Sequence, residues 1–287
     1  MTVMKKHLLF LVLCALPAAA QFLPAEPNPY GERSAIMPVP DEACGNPADI
    51  ITLDSWYYKH DAGEAGYTGN ITLWPYACSE AKTVESVSIL GDSYSTFEGY
   101  VPDGNAIWYY TPADTSRTDV SRVEQTWWWQ LTHSEGYRLC VNDSYSGATV
   151  SYTGYYGADY ADRSFITRMP RLGNPDIILI FGAINDSWTG VGMGEYKYDD
   201  ISREDLYLFR PAFAKMLSDC RRLYPDAHAY FILSDDLRTE INESTQEICA
   251  HYGVPLIRLM DIEKKSGHPT VRGMEQIKNQ ILENIRQ

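Results

Sequence analysis

Five short apolar runs, Val84–Leu90, Tyr137–Val141, Ile177–Phe181, Ala229–Leu233 and Pro255–Leu259, recur along the chain from about residue 83 onward. They are continuous rather than alternating, the pattern of parallel strands covered on both faces. Between them the apolar positions take a helical period, which predicts helices at Arg122–Ser134, Asp205–Tyr224, Leu237–His251 and Thr270–Ile285. Ser121-Arg122-Val123-Glu124 reads as a capping box opening the first helix, with Gly136 just past its end. Ser202-Arg203-Glu204-Asp205 is a looser version opening the second. Strands alternating with helices predict an α/β domain, a five-stranded parallel sheet with right-handed crossovers.

The residues before this pattern read differently. Lys5 and Lys6, the apolar stretch His7–Leu16 and Ala18-Ala19-Ala20 form the three parts of an export signal, so residues 1–20 are expected to be removed. The apolar stretch is too short to cross a bilayer, which takes about 20 residues. Pro24, Pro27, Pro29, Pro38 and Pro40 make an extended leader of residues 21–40. Short β-like pieces around Ile50–Trp56 and Asn70–Trp74 lie in residues 41–82, read with the leader as an irregular N-terminal extension to the domain over residues 83–287.

Composition narrows the partners. The net charge of −14 becomes more negative once Lys5 and Lys6 are lost, which disfavours phosphate backbones and anionic lipid surfaces. No nucleic-acid partner and no membrane span is expected. Cys44, Cys78, Cys140, Cys220 and Cys249 contain no C-x-x-C pair, so a thiolate zinc site is not expected. Cys44 with Cys78 is the pair to consider first for a disulfide in an exported protein. Cys140 falls in an apolar strand and reads as a small buried hydrophobe. No H-E-x-x-H spacing and no Gly-rich phosphate loop occurs, so no metal and no cofactor is expected.

The candidate chemistry sits where the runs end. Gly91-Asp92-Ser93 closes the first, at the carboxyl edge where open α/β sheets place ligands. Three turn residues by themselves mean only a turn. The later blocks, taken in order, carry more: Gly147 after the second run, Asn185-Asp186 after the third and His268-Pro269 after the fifth. A serine there can be a nucleophile, a glycine can offer its N–H to an oxyanion, an asparagine can add a donor and a histidine can serve as base.

These four blocks together resemble the SGNH (GDSL-type) hydrolases, and the resemblance spans roughly residues 84–287. It implies a flavodoxin-like three-layer α/β/α sandwich and serine-dependent hydrolysis of esters, on substrates that range from acylated carbohydrates to lipids and thioesters. Position by position, Ser93 would be the nucleophile, with Ser93, Gly147 and Asn185 forming the oxyanion hole and His268 as base. Tyr94 replaces an aliphatic residue, read as a change in packing. Ala183 stands where the family commonly has glycine, which suggests a different loop path. The family's acid, three residues before the histidine, is Lys265 here. Glu263 or Asp261 could orient His268 instead, or an acid from elsewhere in the chain, or the Lys265 carbonyl could do so in a Ser–His dyad.

Aromatic residues crowd these blocks: Trp108-Tyr109-Tyr110, Trp127-Trp128-Trp129 and Tyr152–Tyr160. Such rings suit either sugar faces or the core. Tyr155, Tyr156 and Trp188 are the candidate substrate contacts. The expectation is an exported (periplasmic or extracellular) serine esterase removing small acyl groups, acetyl above all, from a small-molecule or glycan ester. A lipase or lysophospholipase-type acylhydrolase is the alternative within that class. A non-catalytic carbohydrate-binding protein on the same fold is the alternative outside it.

Overall fold

The computed structural model describes residues 51–59, 66–73, 84–134 and 136–285. The expected leader, its cleavage site, the proline-rich stretch and the Cys44–Cys78 pair lie outside these residues. The chain divides into two units, Met1–Lys82 and Thr83–Gln287. In the first, β1 (Ile51–Lys59) pairs antiparallel with β2 (Gly66–Leu73), with an irregularity between Leu53 and Trp56.

The second unit carries β3 (Glu85–Gly91), β4 (Tyr137–Ser144), β5 (Ile177–Phe181), β6 (His228–Leu233) and β7 (Leu256–Arg258) in one sheet of order β4-β3-β5-β6-β7. Every pairing in it is parallel. All five residues of β5 are buried, as a central strand covered on both faces requires. The helices are α1 (Trp127–Thr132), α2 (Phe165–Arg168), α3 (Ile184–Thr189), α4 (Phe209–Leu223), α5 (Thr239–Tyr252) and α6 (Val271–Ile285). Helix α1 packs with α6 and α4 packs with α5, so two helical layers enclose the sheet. This is the expected three-layer α/β/α sandwich. From β3 the chain goes first to one neighbour, β4, and later to the other, β5. The carboxyl end of β3 is therefore the switch point where such sheets open a crevice.

Two expected helices are shorter than their apolar period. The first is a 3₁₀ turn, Val123–Gln125, followed by α1, because Thr126 interrupts it in extended conformation and caps α1 through Trp129 N–H. Gln125, not Glu124, reaches back, accepting from Ser121 N–H at 2.8 Å and Arg122 N–H at 3.0 Å. The second is broken at Leu208, extended at φ −113°, so α4 begins only at Phe209. Its preceding box is real: Asp205 accepts from Ser202 N–H and Ser202 Oγ accepts from Asp205 N–H. Helices α2 and α3 were not expected. Cys140 is half-buried rather than buried, and Cys140, Cys220 and Cys249 are free thiols. No helix among the described residues is long and apolar enough to cross a membrane.

Candidate active site

Strand β3 ends at Gly91 because nothing larger fits. A Cβ there would lie 2.5 Å from Ser144 Oγ and 2.6 Å from Ser95 Cβ. Asp92 then caps a single 3₁₀ turn, Ser93–Ser95, by accepting from Tyr94 N–H at 3.0 Å. The turn holds Ser93 at the switch point. Arg168, wholly buried, ties the strand ends together beneath it, donating to the carbonyls of Gly91 and Asp143. Asp92 is equally buried, and burial pushes its carboxyl up to about 7 although Arg168 opposes the shift.

Gly147 lies at φ +82°, a left-handed conformation open to glycine and costly to other residues. Its loop is pinned on both sides. Tyr145 N–H donates to Gly91 O at 3.1 Å, and Asn185 Nδ2 donates to Ala148 O at 2.9 Å. Asp186 adds three bonds, accepting from Val150 N–H, Ser151 N–H and the Ser151 hydroxyl. Burial raises the Asp186 carboxyl to about 6 despite those donors. Among the described residues the N–H groups of Ser93 and Gly147 meet no acceptor. Asn185 keeps one amide proton beyond the bond to Ala148. Tyr155 fixes which way that amide faces, since its hydroxyl donates to Asn185 Oδ1 at 2.8 Å.

Ala183, before Asn185, adopts φ +68° itself. The loop therefore takes a left-handed turn without the glycine, not an avoidance of it.

His268 arrives from the other side of the crevice. Strands β8 (Lys264–Lys265) and β9 (His268–Pro269) form a hairpin whose two turn residues, Ser266 and Gly267, lie at φ +50° and +75°. Two consecutive positive φ values are what a type I′ turn requires. His268 Nε2 lies 2.9 Å from Ser93 Oγ, and both residues are buried. Nδ1 lies 3.1 Å from the Ser266 carbonyl, so the proton belongs on Nδ1 and Nε2 is free to accept from the serine. The expected orienting groups are corrected here. Glu263 accepts from the Thr270 hydroxyl at 2.6 Å at the start of α6 and does not contact the imidazole. Asp261, at φ +55°, donates its N–H to Asp235 and does not reach the ring either. The carbonyl is that of Ser266 rather than Lys265, whose ammonium donates to Thr115 O.

Burial is the main cause that lowers the His268 pKa to about 4, with the cations Arg117 and Lys264 adding to it and the Ser266 carbonyl opposing. The imidazole is thus neutral at neutral pH, the form a base needs.

The aromatic residues divide. Trp127 and Trp128 belong to the core. Tyr109 is buried and donates to Pro269 O at 3.0 Å. Tyr94 donates to Gly267 O at 2.5 Å, so it tethers the histidine turn to the nucleophile turn instead of merely filling space. Trp108 lies flat on His268. Trp188, 42% exposed, stands edge-on to His268 at 6.0 Å, and Tyr156 is fully exposed. Of the predicted substrate contacts, Trp188 and Tyr155 stand at the site. The exposed Tyr156 follows Tyr155 in the chain. The sequence reading missed the roles of Tyr94, Asp186 and Ser266. The Ser266-Gly267 dipeptide, a turn signal between two short polar runs, was the available clue to the hairpin.

No group of three or more metal-ligating side chains occurs among the described residues. A buried hydroxyl against a neutral imidazole, at a sheet's switch point, is an arrangement suited to a hydrolase on an α/β fold. The chain belongs to the GDSL-like Lipase/Acylhydrolase family, which matches residues 85–285. A GDSL-like lipase of Bacteroides ovatus is 56% identical, with 71% of this chain and 99% of that one covered and a TM-score of 0.69. One from Bacteroides uniformis is 52% identical, with 70% and 95% covered and a TM-score of 0.69. A family two carbohydrate esterase of Clostridium thermocellum, solved with cellohexaose, shares the fold at 16% identity, with 77% and 69% covered and a TM-score of 0.50. No curated protein matches the chain.

Proposed function

We propose that this hydrolase is an exported serine esterase that removes small acyl groups, acetyl first, from carbohydrate. The observation that carries the reading is the 2.9 Å approach of His268 Nε2 to Ser93 Oγ. In this mechanism His268 takes the Ser93 proton as the oxygen attacks the ester carbonyl. The oxyanion meets the N–H groups of Ser93 and Gly147 and the Asn185 amide. His268 then protonates the departing alcohol, and afterwards activates the water that releases the acid. The Ser266 carbonyl fixes the tautomer throughout.

Flat sugar rings suit the surroundings. Large rings border the site: Tyr155 on Asn185, Trp188 and Trp108 about His268. The exposed Tyr156 and Trp188 offer faces on which a sugar can stack. The lipase description of the Bacteroides relatives favours a second reading, in which the acyl chain is longer.

The test is hydrolysis of p-nitrophenyl acetate, p-nitrophenyl octanoate and an acetylated oligosaccharide, beside Ser93→Ala and His268→Ala. The reading expects turnover of acetate and of the acetylated sugar, abolished by both substitutions. Preference for octanoate moves the substrate to lipids. Glycan binding with no turnover of any of the three replaces the enzyme by a binding protein.

A further inference from the structure

In a Ser–His–Asp triad the carboxylate fixes the tautomer of the histidine, holds its ring in place and offsets the charge it gains. Around His268 these tasks are divided. The Ser266 carbonyl fixes the tautomer, through one bond from two residues away. Together with the Nε2 contact to Ser93 Oγ, this bond leaves the ring free to turn about the line through its two nitrogens. Flat against that ring lies the Trp108 indole, 3.4 Å from the imidazole, centroid to centroid, and 6° from parallel. Tyr94, Trp188 and Tyr109 close the remaining sides edge-on, at 5.2, 6.0 and 6.5 Å.

Trp108 is itself held from three directions. Its N–H donates to Thr96 Oγ1 at 2.9 Å, and that same hydroxyl donates to the Ser93 carbonyl at 3.1 Å. The stack and the nucleophile turn thus share one anchor. On the indole face away from His268 lies the Arg117 guanidinium, 4.0 Å from the ring centroid. The indole Nε1–H is buried and meets no acceptor among the described residues. Burying that N–H unpaired is unfavourable, so the ring keeps this place for its face, not for its polar atom.

We infer that Trp108, backed by Arg117, is a positioning residue that sets the plane of His268 against Ser93 in place of the missing carboxylate. The inference rests on the Ser–His mechanism proposed for this site. The stack also bears on charge. An indole face attracts an imidazolium, but here its opposite face already carries a guanidinium, so a second cation on the ring is opposed. The other ionisable groups facing His268 are the Tyr94 and Tyr109 hydroxyls and Lys264, which is paired with Asp236 at 2.8 Å and Asp235 at 3.5 Å. None of them supplies a negative charge at the imidazole. The downward shift of the His268 pKa agrees with this arrangement.

The experiment measures kcat and KM for p-nitrophenyl acetate from about pH 4 to 9 with the full chain and with Trp108→Leu, Trp108→Phe, Arg117→Gln and Ser93→Ala. Loss of ring alignment in Trp108→Leu is expected to lower kcat by about 10²-fold with KM little changed. Its acid limb should move up towards the ordinary imidazole range. Trp108→Phe keeps a flat face and should recover most of kcat. Arg117→Gln, a change on the exposed surface, should raise the acid limb. Parental kcat and limb in Trp108→Leu, or a loss confined to KM, overturns the inference while leaving the serine mechanism intact. Turnover surviving in Ser93→Ala overturns both. If Trp108→Leu lacks the far-ultraviolet circular dichroism of the parent, Trp108→Met, an adaptable apolar side chain without a flat face, decides by the same split: a loss in kcat at unchanged KM upholds the inference and parental kcat sinks it.

Discussion

Asn185 shows how much a single side chain owes to its neighbours. An amide can face either way, and only one orientation presents N–H to an oxyanion. Tyr155, donating to Oδ1, and the Ala148 carbonyl, accepting from Nδ2, settle the orientation together. Replacing Asn185 by Ala should cost on the order of 10²–10³ in kcat. Tyr155→Phe should cost about tenfold in kcat/KM, with the protein folded, because the amide is then held by the Ala148 carbonyl alone; one tenfold step corresponds to about 1.4 kcal/mol. Steady-state kinetics on an acetyl ester check both, and parental kcat/KM in Tyr155→Phe would remove Tyr155 from the site. The approach of His268 to Ser93 was foreshadowed in the chain, because each of the candidates Ser93, Gly147, Asn185 and His268 follows an apolar run. Tyr94, Tyr155 and Ser266 were not readable in their roles. Tyr94 and Tyr155 act through hydrogen bonds to residues far away, and Ser266 through its main-chain carbonyl, and neither leaves a pattern in local sequence.

At the level of elements, the five strands followed directly from their apolar runs, and β5 coincides with its run from Ile177 to Phe181. The helices were less legible. Their apolar period continues through Thr126 and Leu208, but the backbone leaves the helix at both. Helix α3 escaped notice because Asn185-Asp186 also reads as a turn. Its left-handed entry at Ala183 makes a sharp prediction. Glycine there relieves strain but loses a buried methyl and adds freedom to the unfolded chain, so Ala183→Gly should stay within about 1 kcal/mol of the parent. Ala183→Val forces a branched side chain into left-handed backbone and should destabilise by about 2 kcal/mol or more. Thermal melts should then show a Tm drop of about 4–8 °C for valine, and equal Tm values for the two variants would contradict the strain argument.

Across the whole molecule, buried titratable groups set how stability varies with pH. Asp92 and Asp186 are raised to about 7 and about 6, so between the ordinary carboxylate range and those values the folded protein holds more protons than the unfolded chain. Their contribution is present at low pH and is lost as pH rises through that window. His268, lowered to about 4, acts with the opposite sign: stability falls as pH drops below its ordinary value of 6.5. Two acids outweigh one histidine, so Tm should decline from about pH 5 to 7.5, and Asp92→Asn should flatten the decline. A Tm that rises across that range would show that the acids are ionised in the folded state.

The histidine turn has a further consequence. The bonds that seat it, from Tyr94, from Tyr109 and from the imidazole itself, all end on main-chain carbonyls, those of Gly267, Pro269 and Ser266. A carbonyl is supplied by whatever residue occupies the position. The side chain at 265 is therefore released from the duty that a triad imposes on its acid, while position 266 is bound only by its left-handed backbone at φ +50°. Such a rim is open to drift: side chains can be exchanged at its 265 position, generation after generation, while the chemistry beneath stays in place.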